Sequence, residues 1–167
     1  MNHHDEPRTA PSIELARYLG QWFEIARLPQ RHEPEEYTDI NATYSLNPDG
    51  SVRVDNRALN GQGEAEQSIG EATIVEGSGN AKLEVSFMPD GLKWVPFTKG
   101  DYWILRVDED YRTALVGTPN RKYLWLLART PTIEPERRQA FLDTAVQQGF
   151  DLDALIYTPQ RPAARHH

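Results

Sequence analysis

Short runs in which apolar and polar residues alternate occupy most of the chain between residues 22 and 130. Turn sequences such as NPDG at 47–50, NGQG at 60–63 and EGSGN at 76–80 separate them. Alternation with a period of two is typical of strands that present different faces to different environments. We therefore predict eight strands, within 22–29, 41–46, 51–59, 67–75, 81–88, 101–107, 113–118 and 123–130. Their hairpin-length connections favour an up-and-down antiparallel barrel or a sandwich.

The pattern changes to a helical one after residue 130. Pro135 stands at a suitable first helical position and Gly149 at a suitable stop. Between them an apolar stripe at helical spacing is formed by Phe141, Leu142, Ala145 and Val146. We predict one amphipathic helix here, a short helical turn within 13–20 that ends at Gly20, and a short final strand within 155–159.

The first strand has large apolar groups on both faces. Trp22, Glu24 and Ala26 alternate with Phe23 and Ile25. In a barrel with the late helix packed outside the first and last strands, Phe23 and Ile25 face that helix and the other three residues face inward. In a sandwich, Glu24 would simply point to water. The alternation alone does not separate these two interpretations.

Length and composition indicate one domain. The 167 residues are enough for a single core, and the net charge is −7. We predict a disordered leader at 1–12, one domain at 13–158 and a flexible tail at 159–167. The acidic balance, without a Lys/Arg cluster, argues against nucleic acid as a partner.

Cysteine is absent from the sequence, which excludes disulfides, thiolate chemistry and a lipid-modified cysteine in the chain as given. The charged N-terminal residues do not form a signal peptide, and no apolar run is long enough for a transmembrane segment. A cytoplasmic location is the default expectation if Met1 is the native start. The periplasm or outer membrane is the alternative if a signal sequence was removed.

Few residues suit catalysis or a bound metal. Four of the five histidines lie at the chain ends, and only His32 lies within the predicted domain. Neither a nucleophile elbow nor a phosphate-binding glycine loop occurs. We therefore expect no catalytic residue, no metal site and no cofactor.

Three local signatures resemble the lipocalin family, in particular bacterial lipocalins and relatives of apolipoprotein D. They are Gly20-Gln21-Trp22, the turn VDEDYRTALV at 107–116 that contains Tyr111, and YLWLLARTP at 123–131 with Arg129. Glu109-Asp110 departs from the tighter turn usual in the family. The resemblance runs from about Ile13 to Tyr157. It implies a mainly β fold: an eight-stranded up-and-down antiparallel β-barrel with a C-terminal α-helix packed outside.

The resemblance also implies roles for individual residues. Arg129 would stack on Trp22 at the closed end of the barrel, a contact worth about 1–2 kcal/mol, and bond the backbone of the first helical turn. Counting by twos from Trp22 and Arg129, and by resemblance elsewhere, we expect a ligand-binding lining of Glu24, Ala26, Ala42, Tyr44, Val54, Asn56, Ala72, Leu83, Val85, Phe87, Tyr102, Ile104, Val116, Tyr123 and Trp125. Gly70, Ala114 and Leu127 share the inward face.

This lining suits an elongated apolar ligand with a polar head, although the same residues can also interdigitate into a solid core. A buried Glu24 needs a partner, so we expect it to bond Asn56, a tyrosine hydroxyl or buried water, or to be partly protonated. The loops at 30–39 and 89–99 are expected to frame the mouth. The second loop offers an apolar rim that consists of Leu92, Trp94, Val95 and Phe97.

Three functions follow from the resemblance. The first is a monomeric or homodimeric carrier or store of a small lipid, namely a fatty acid or lysophospholipid. The second is an enzymatic lipocalin that acts on a lipid-like or isoprenoid substrate, with Glu24 or a tyrosine as acid or base. The third is a binder of haem or another pigment.

Overall fold

A closed antiparallel barrel forms the body of the protein. The computed structural model describes residues 6–29, 36–87 and 100–160. The eight barrel strands are β1 (Gly20–Arg27), β2 (Thr38–Leu46), β3 (Val52–Leu59), β4 (Ala65–Ile74), β5 (Lys82–Phe87), β6 (Gly100–Val107), β7 (Thr113–Gly117) and β8 (Leu124–Ala128). Each strand pairs with the next, and β1 pairs with both β8 and β2, which closes the barrel. The predicted barrel is confirmed.

Three shorter or helical elements complete the fold. Helix α1 (Leu15–Tyr18) precedes β1, helix α2 (Pro135–Gln147) follows β8, and the two-residue strand β9 (Ile156–Tyr157) adds to β1. Pro135 starts α2 as predicted, because the first turn of a helix does not use the backbone N–H that proline lacks.

Two apolar clusters lie on opposite sides of the barrel wall. The inner cluster fills the barrel and includes Trp22, Tyr44 and Trp125. The outer cluster lies between the wall and α2, where Leu115 and Leu126 pack with Phe141. Strand alternation therefore separates an interior from an exterior that the helix covers.

The outer face agrees with the prediction in one respect and differs in another. Helix α2 shares the outer cluster with residues of β1 and β8, as predicted, and it extends over β7 and β6 as well, where Arg106 donates to the Ala140 carbonyl and the Thr144 hydroxyl. Val146, predicted within the buried stripe, is 57% exposed. The stripe ends at Ala145, because Val146 lies about 100° further round the helix and beyond the cover of the sheet.

The predicted domain limits, with a leader at 1–12 and a tail at 159–167, stay a prediction. Residues at both predicted limits nevertheless have definite partners. The Ala10 amide donates to the Ile104 carbonyl, and the Asp39 amide donates to the Pro159 carbonyl.

Candidate functional site

The closed end of the barrel, where α1, the start of β1 and the end of β8 meet, is built around Arg129 and Trp22. The Arg129 guanidinium carbon lies 3.8 Å from the centroid of the Trp22 ring. Arg129 also donates to the carbonyls of Arg17, Gln21 and Tyr111. The predicted stacking and the bond to the first helical turn are both confirmed.

Gly20 and Tyr111 fit closely around this arginine. Gly20 has a φ of +103°, and a Cβ atom there would lie 3.3 Å from Arg129 Nη1. Glycine is therefore favoured at this position, both because the backbone has a positive φ and because little space remains for a side chain. The Tyr111 hydroxyl accepts from the Glu14 amide, and Arg17 lies over the Tyr111 ring. The sequence signatures thus meet in one structural assembly.

Most of the predicted lining residues lie on the inner face. Those in the buried inner cluster are Ala42, Tyr44, Val54, Ala72, Leu83, Val85, Tyr102, Ile104, Val116 and Trp125, with Tyr123 packed against it. Asn56 is also buried and faces inward beside them. The side chain of Phe87 and the mouth residues 30–35 and 88–99, including the predicted apolar rim, lie outside the described residues. Ligand contact by any of these residues stays a prediction.

The inward orientation predicted for Ala26 is wrong. The pairing of β1 with β8 shifts between Glu24 and Ala26, so one extra residue is inserted at Ile25. Beyond this bulge the two faces exchange: Ala26 joins the outer cluster, and Arg27 pairs beside Trp125 of the inner cluster. Counting by twos cannot detect an inserted residue.

The bulge brings Arg27 and Glu24 together in the barrel interior. Arg27 is 0% exposed and Glu24 is 3% exposed, and Arg27 Nη1 lies 3.0 Å from Glu24 Oε2. In an unbroken strand, residues three apart would lie on opposite faces. Glu24 therefore finds a charged partner that the sequence analysis missed, in place of the expected Asn56, tyrosine or water.

Thr158, which follows β9, completes this buried polar group. Its hydroxyl donates to Glu24 Oε2 and accepts from Arg27 Nη1 at 3.1 Å. No sequence signal links Thr158 to Glu24, because the two residues are 134 positions apart. The carboxylate thus has a cation and a hydroxyl donor, as a buried charge requires.

The segment 156–160 fills a gap in the barrel wall between β1 and β2. These two strands pair only from Gly20 to Phe23 on the β1 side. Further along, β9 pairs with β1 at Ala26 and Arg27, and the Gln160 side chain donates to the carbonyls of Glu24 and Ile40. The wall near the Glu24–Arg27 pair is therefore completed by the C-terminal segment.

Three buried tyrosines form a hydrogen-bonded chain inside the closed end. The Tyr18 and Tyr102 hydroxyls are 2.7 Å apart, and Tyr102 donates to Tyr44 over 2.9 Å. Burial raises the pKa of all three hydroxyls above the ordinary tyrosine range. For Tyr44, the negative charge of Glu24 raises the pKa further, against the lowering effect of the Tyr102 bond. All three hydroxyls therefore keep their protons at neutral pH.

Two interior cavities adjoin Tyr44. The closed-end cavity has about 20 Å³ of space for a water-sized molecule, and its exposed lining is apolar. Its lining residues are Leu15, Tyr18, Leu19, Tyr44, Val52, Val54, Ala72, Leu83, Val85, Tyr102 and Ile104. The Glu24 cavity has about 10 Å³ of such space and includes Glu24, Tyr44 and Asn56 in its lining. Each cavity therefore has space for about one water molecule.

Asn56 and Ser68 add polar groups to the inner wall of β3 and β4. They lie directly opposite each other in the antiparallel pairing, and the Asn56 amide donates to the Ser68 carbonyl. Ser68 is 1% exposed, and its hydroxyl has no hydrogen-bond partner among the described residues. The sequence analysis did not select Ser68, although its position two residues before the inward-facing Gly70 on an alternating strand was a usable signal.

Within the described ranges, no helix has both the length and the apolar character to span a membrane. The same ranges contain no cluster of three His, Cys, Asp or Glu side chains suited to a metal ion. All five histidines lie outside them.

The closed barrel, its external helix and its arginine-capped end together define the class of the fold: an eight-stranded antiparallel β-barrel covered on one side by a C-terminal helix. The model of the lipocalin-like domain matches residues 13–160. The chain belongs to the lipocalin family.

Curated relatives extend over most of the chain. Temperature-induced lipocalin-1 of Arabidopsis thaliana is 39% identical, over 96% of this chain and 86% of its own length. The outer membrane lipoprotein Blc of Escherichia coli K12 is 41% identical, over 89% of this chain and 80% of its own length. Apolipoprotein D of Mus musculus is 31% identical, over 92% of this chain and 80% of its own length. Together with the family match, these relatives support small hydrophobic ligand binding in general.

Solved structures share the fold at low sequence identity. Insecticyanin from the tobacco hornworm Manduca sexta matches with a TM-score of 0.71 and 19% identity, over 96% of this chain and 87% of that structure. Lobster apocrustacyanin A1 matches with a TM-score of 0.69 and 10% identity, over 98% of this chain and 94% of that structure. At these identities the likeness supports the architecture alone.

Proposed function

We propose that this lipocalin binds a fatty acid or lysophospholipid, with the acyl chain inside the barrel, and stores or carries it. The observation that carries the proposal is the apolar inner face, where small residues such as Ala42 and Ala72 lie between aromatic and aliphatic side chains. The lining is apolar around the closed-end cavity, which suits an acyl chain.

The energetics are consistent with a single acyl chain. Burial of about 16 carbons contributes about 13 kcal/mol at about 0.8 kcal/mol per methylene. Ordering and immobilisation of the ligand oppose this gain, so we expect dissociation constants between micromolar and nanomolar. Because the closed-end cavity is narrow, we expect its side chains to change rotamer when a chain enters.

The ligand test combines extraction with a steric block. Organic solvent extraction of the purified protein, followed by mass spectrometry, should yield an acyl lipid. Ala72→Phe places a ring in the closed-end cavity and should weaken palmitate or lysophosphatidylcholine binding at least about tenfold. Ala65→Phe, at an exposed position of the same strand, is the matched control and should bind as the wild type does. Failure of the wild type to bind either lipid would contradict the proposal.

The same protein preparation distinguishes the other two functions. A haem or pigment carrier would show visible absorbance, and an enzymatic lipocalin would show turnover that is lost in Glu24→Gln. The buried ion pair makes Glu24 a poor proton shuttle, since its carboxylate already accepts from Arg27 and Thr158. We therefore favour binding over catalysis.

Location and assembly stay predictions. The predicted cytoplasmic location has no direct support, whereas the outer-membrane name of Blc supports the periplasmic alternative for this chain. Membrane fractionation of the native organism's cells tests this alternative. Monomer and homodimer both remain predictions, and sedimentation velocity distinguishes them.

A further inference from the structure

The inner wall of β2, β3 and β4 carries hydrogen-bonding groups that the fold itself does not use. The three hydroxyls of Tyr18, Tyr102 and Tyr44 carry three protons, but only two hydrogen bonds join them. Because Tyr102 donates to Tyr44, the Tyr44 proton has no acceptor among the hydrogen bonds of the described residues. Tyr44 lines both interior cavities, so a ligand that widens either cavity would contact this residue.

Ser68 supplies the second group on the same wall. Its hydroxyl is buried without a partner among the described residues, which is a costly arrangement unless a ligand or water satisfies it. The strand pairing places Ser68 opposite Asn56, and Asn56 opposite Ala42, two residues before Tyr44. Tyr44, Asn56 and Ser68 therefore share the inner face of three adjacent strands, with Ser68 directly opposite Asn56 and Tyr44 diagonal to it; we call these three residues the Tyr44–Asn56–Ser68 strip.

The charges around this strip favour a neutral group over an anion. Glu24 lines the same cavity as Tyr44 and Asn56, and a second negative charge there would be repelled. Arg27, the cation beside Glu24, is already bonded to Glu24 and Thr158. Arg129, whose charge also acts on Tyr44, is bonded to three backbone carbonyls, so both guanidinium groups already have partners within the fold. A carboxylate or phosphate head is thus disfavoured at this depth of the barrel.

We propose that the Tyr44–Asn56–Ser68 strip binds a neutral hydroxyl or carbonyl oxygen carried on the apolar part of the ligand. This inference rests on the proposed lipid-binding function and makes it more specific: the preferred ligand is an oxygenated acyl chain or a similar oxygenated apolar molecule. The apolar closed-end cavity beyond Tyr44 holds the remainder of the chain.

Competition between closely matched fatty acids tests this inference. Dissociation constants are measured for stearic acid and for a positional series of hydroxystearic acids, whose carboxylates are identical. At least one isomer should bind about fivefold to tenfold more tightly than stearic acid, because it satisfies a buried group that stearic acid leaves unbonded.

The variants assign the preference to the strip. Tyr44→Phe and Ser68→Ala should each reduce this preference about threefold or more. The preference is the ratio of two dissociation constants measured on the same variant, so a change that affects both fatty acids equally does not alter it. Tyr18→Phe removes a hydroxyl from the same tyrosine chain but keeps the Tyr44 donor, so it should retain the preference. It is the matched control.

Two results would overturn the inference, and they differ from a failure of lipid binding itself. Stearic acid that binds as tightly as every hydroxystearic acid leaves the lipid carrier intact but removes the role of the strip. A preference that persists in both Tyr44→Phe and Ser68→Ala does the same. If no fatty acid in the series binds, the proposed lipid function fails and the inference fails with it.

Discussion

Arg129 at the closed end and Arg27 in the β1 wall both hold a guanidinium against the barrel interior, but with different partners. Arg129 contacts an indole ring and three backbone carbonyls, and the described structure gives it no carboxylate. Arg27 contacts a buried carboxylate and a buried hydroxyl. The first arginine is held by the path of the backbone, whereas the second depends on a particular side chain.

This difference determines how each region should respond to mutation. Backbone carbonyls remain in place when a neighbouring side chain is replaced, so Arg129 keeps most of its partners after any one such substitution. The Glu24–Arg27 pair leaves an uncompensated charge in the interior when either member is removed. The following predictions test this contrast, from the largest expected effect to the smallest.

Glu24→Gln should lower the free energy of unfolding by about 3–5 kcal/mol, because it leaves the Arg27 charge buried without its carboxylate. Urea denaturation measures the effect. The double variant Glu24→Gln/Arg27→Met should recover much of the loss, since it removes both charges. Glu84→Gln, at an exposed position on β5, is the control and should change stability by less than about 0.5 kcal/mol. A Glu24→Gln variant as stable as the wild type would contradict the role assigned to the pair.

Arg129→Met should lower the free energy of unfolding by about 2–3 kcal/mol. It removes the stacking on Trp22 and the charged hydrogen bonds to carbonyls, but it buries no unpaired charge. The control is the exposed Arg112→Met on the adjacent turn, which should change little. If Arg129→Met costs more than Glu24→Gln in parallel urea titrations, the contrast between the two regions is reversed.

Alkaline pH should reveal the tyrosine chain that lies between the two arginines. Burial raises the pKa of Tyr44 in the folded state, whereas an unfolded tyrosine loses its proton near pH 10. Above that pH the unfolded state binds fewer protons, so the stability falls as the pH rises. The wild type should lose about 1.4 kcal/mol per pH unit more than Tyr44→Phe in this range. Parallel pH profiles from urea titrations between about pH 9 and 11 would contradict this.

Val146→Lys should change the free energy of unfolding by no more than about 0.5 kcal/mol, because the side chain is largely exposed on α2. Ala145→Lys, one residue earlier and fully buried, is the matched comparison and should be strongly destabilising. Thermal unfolding of the two variants measures the difference. A large loss of stability in Val146→Lys would instead support the sequence prediction that Val146 belongs to the buried stripe.

The closed end was predictable because its residues lie in local sequence signatures. Trp22 and Arg129 lie within recognisable short motifs, and the resemblance to the family implied the contact between them. The resemblance likewise implied that Tyr44 and Val116 face inward, and both lie in the inner cluster. Once one residue of a regular strand has been placed, the period of two predicts the orientation of its other residues.

The Glu24–Arg27–Thr158 group was not predictable by the same reasoning. Its formation needs an inserted residue at Ile25, which reverses the inward face without a glycine or proline to mark it. It also needs Thr158, which lies 134 residues after Glu24 in the sequence and reaches it because β9 pairs with β1. Both causes are tertiary: the register with β8 and the gap between β1 and β2 decide them.

The C-terminal segment has a consequence for how the protein is made. Glu24 leaves the ribosome 134 residues before Thr158, the residue whose hydroxyl it binds. Until Thr158 has been synthesised, the gap between β1 and β2 lacks the segment 156–160 that closes it. The Glu24 carboxylate also lacks one of its two hydrogen-bond donors. Nascent barrels therefore stay incomplete through most of translation, and a chaperone that shields the β1–β2 edge would act in exactly that interval.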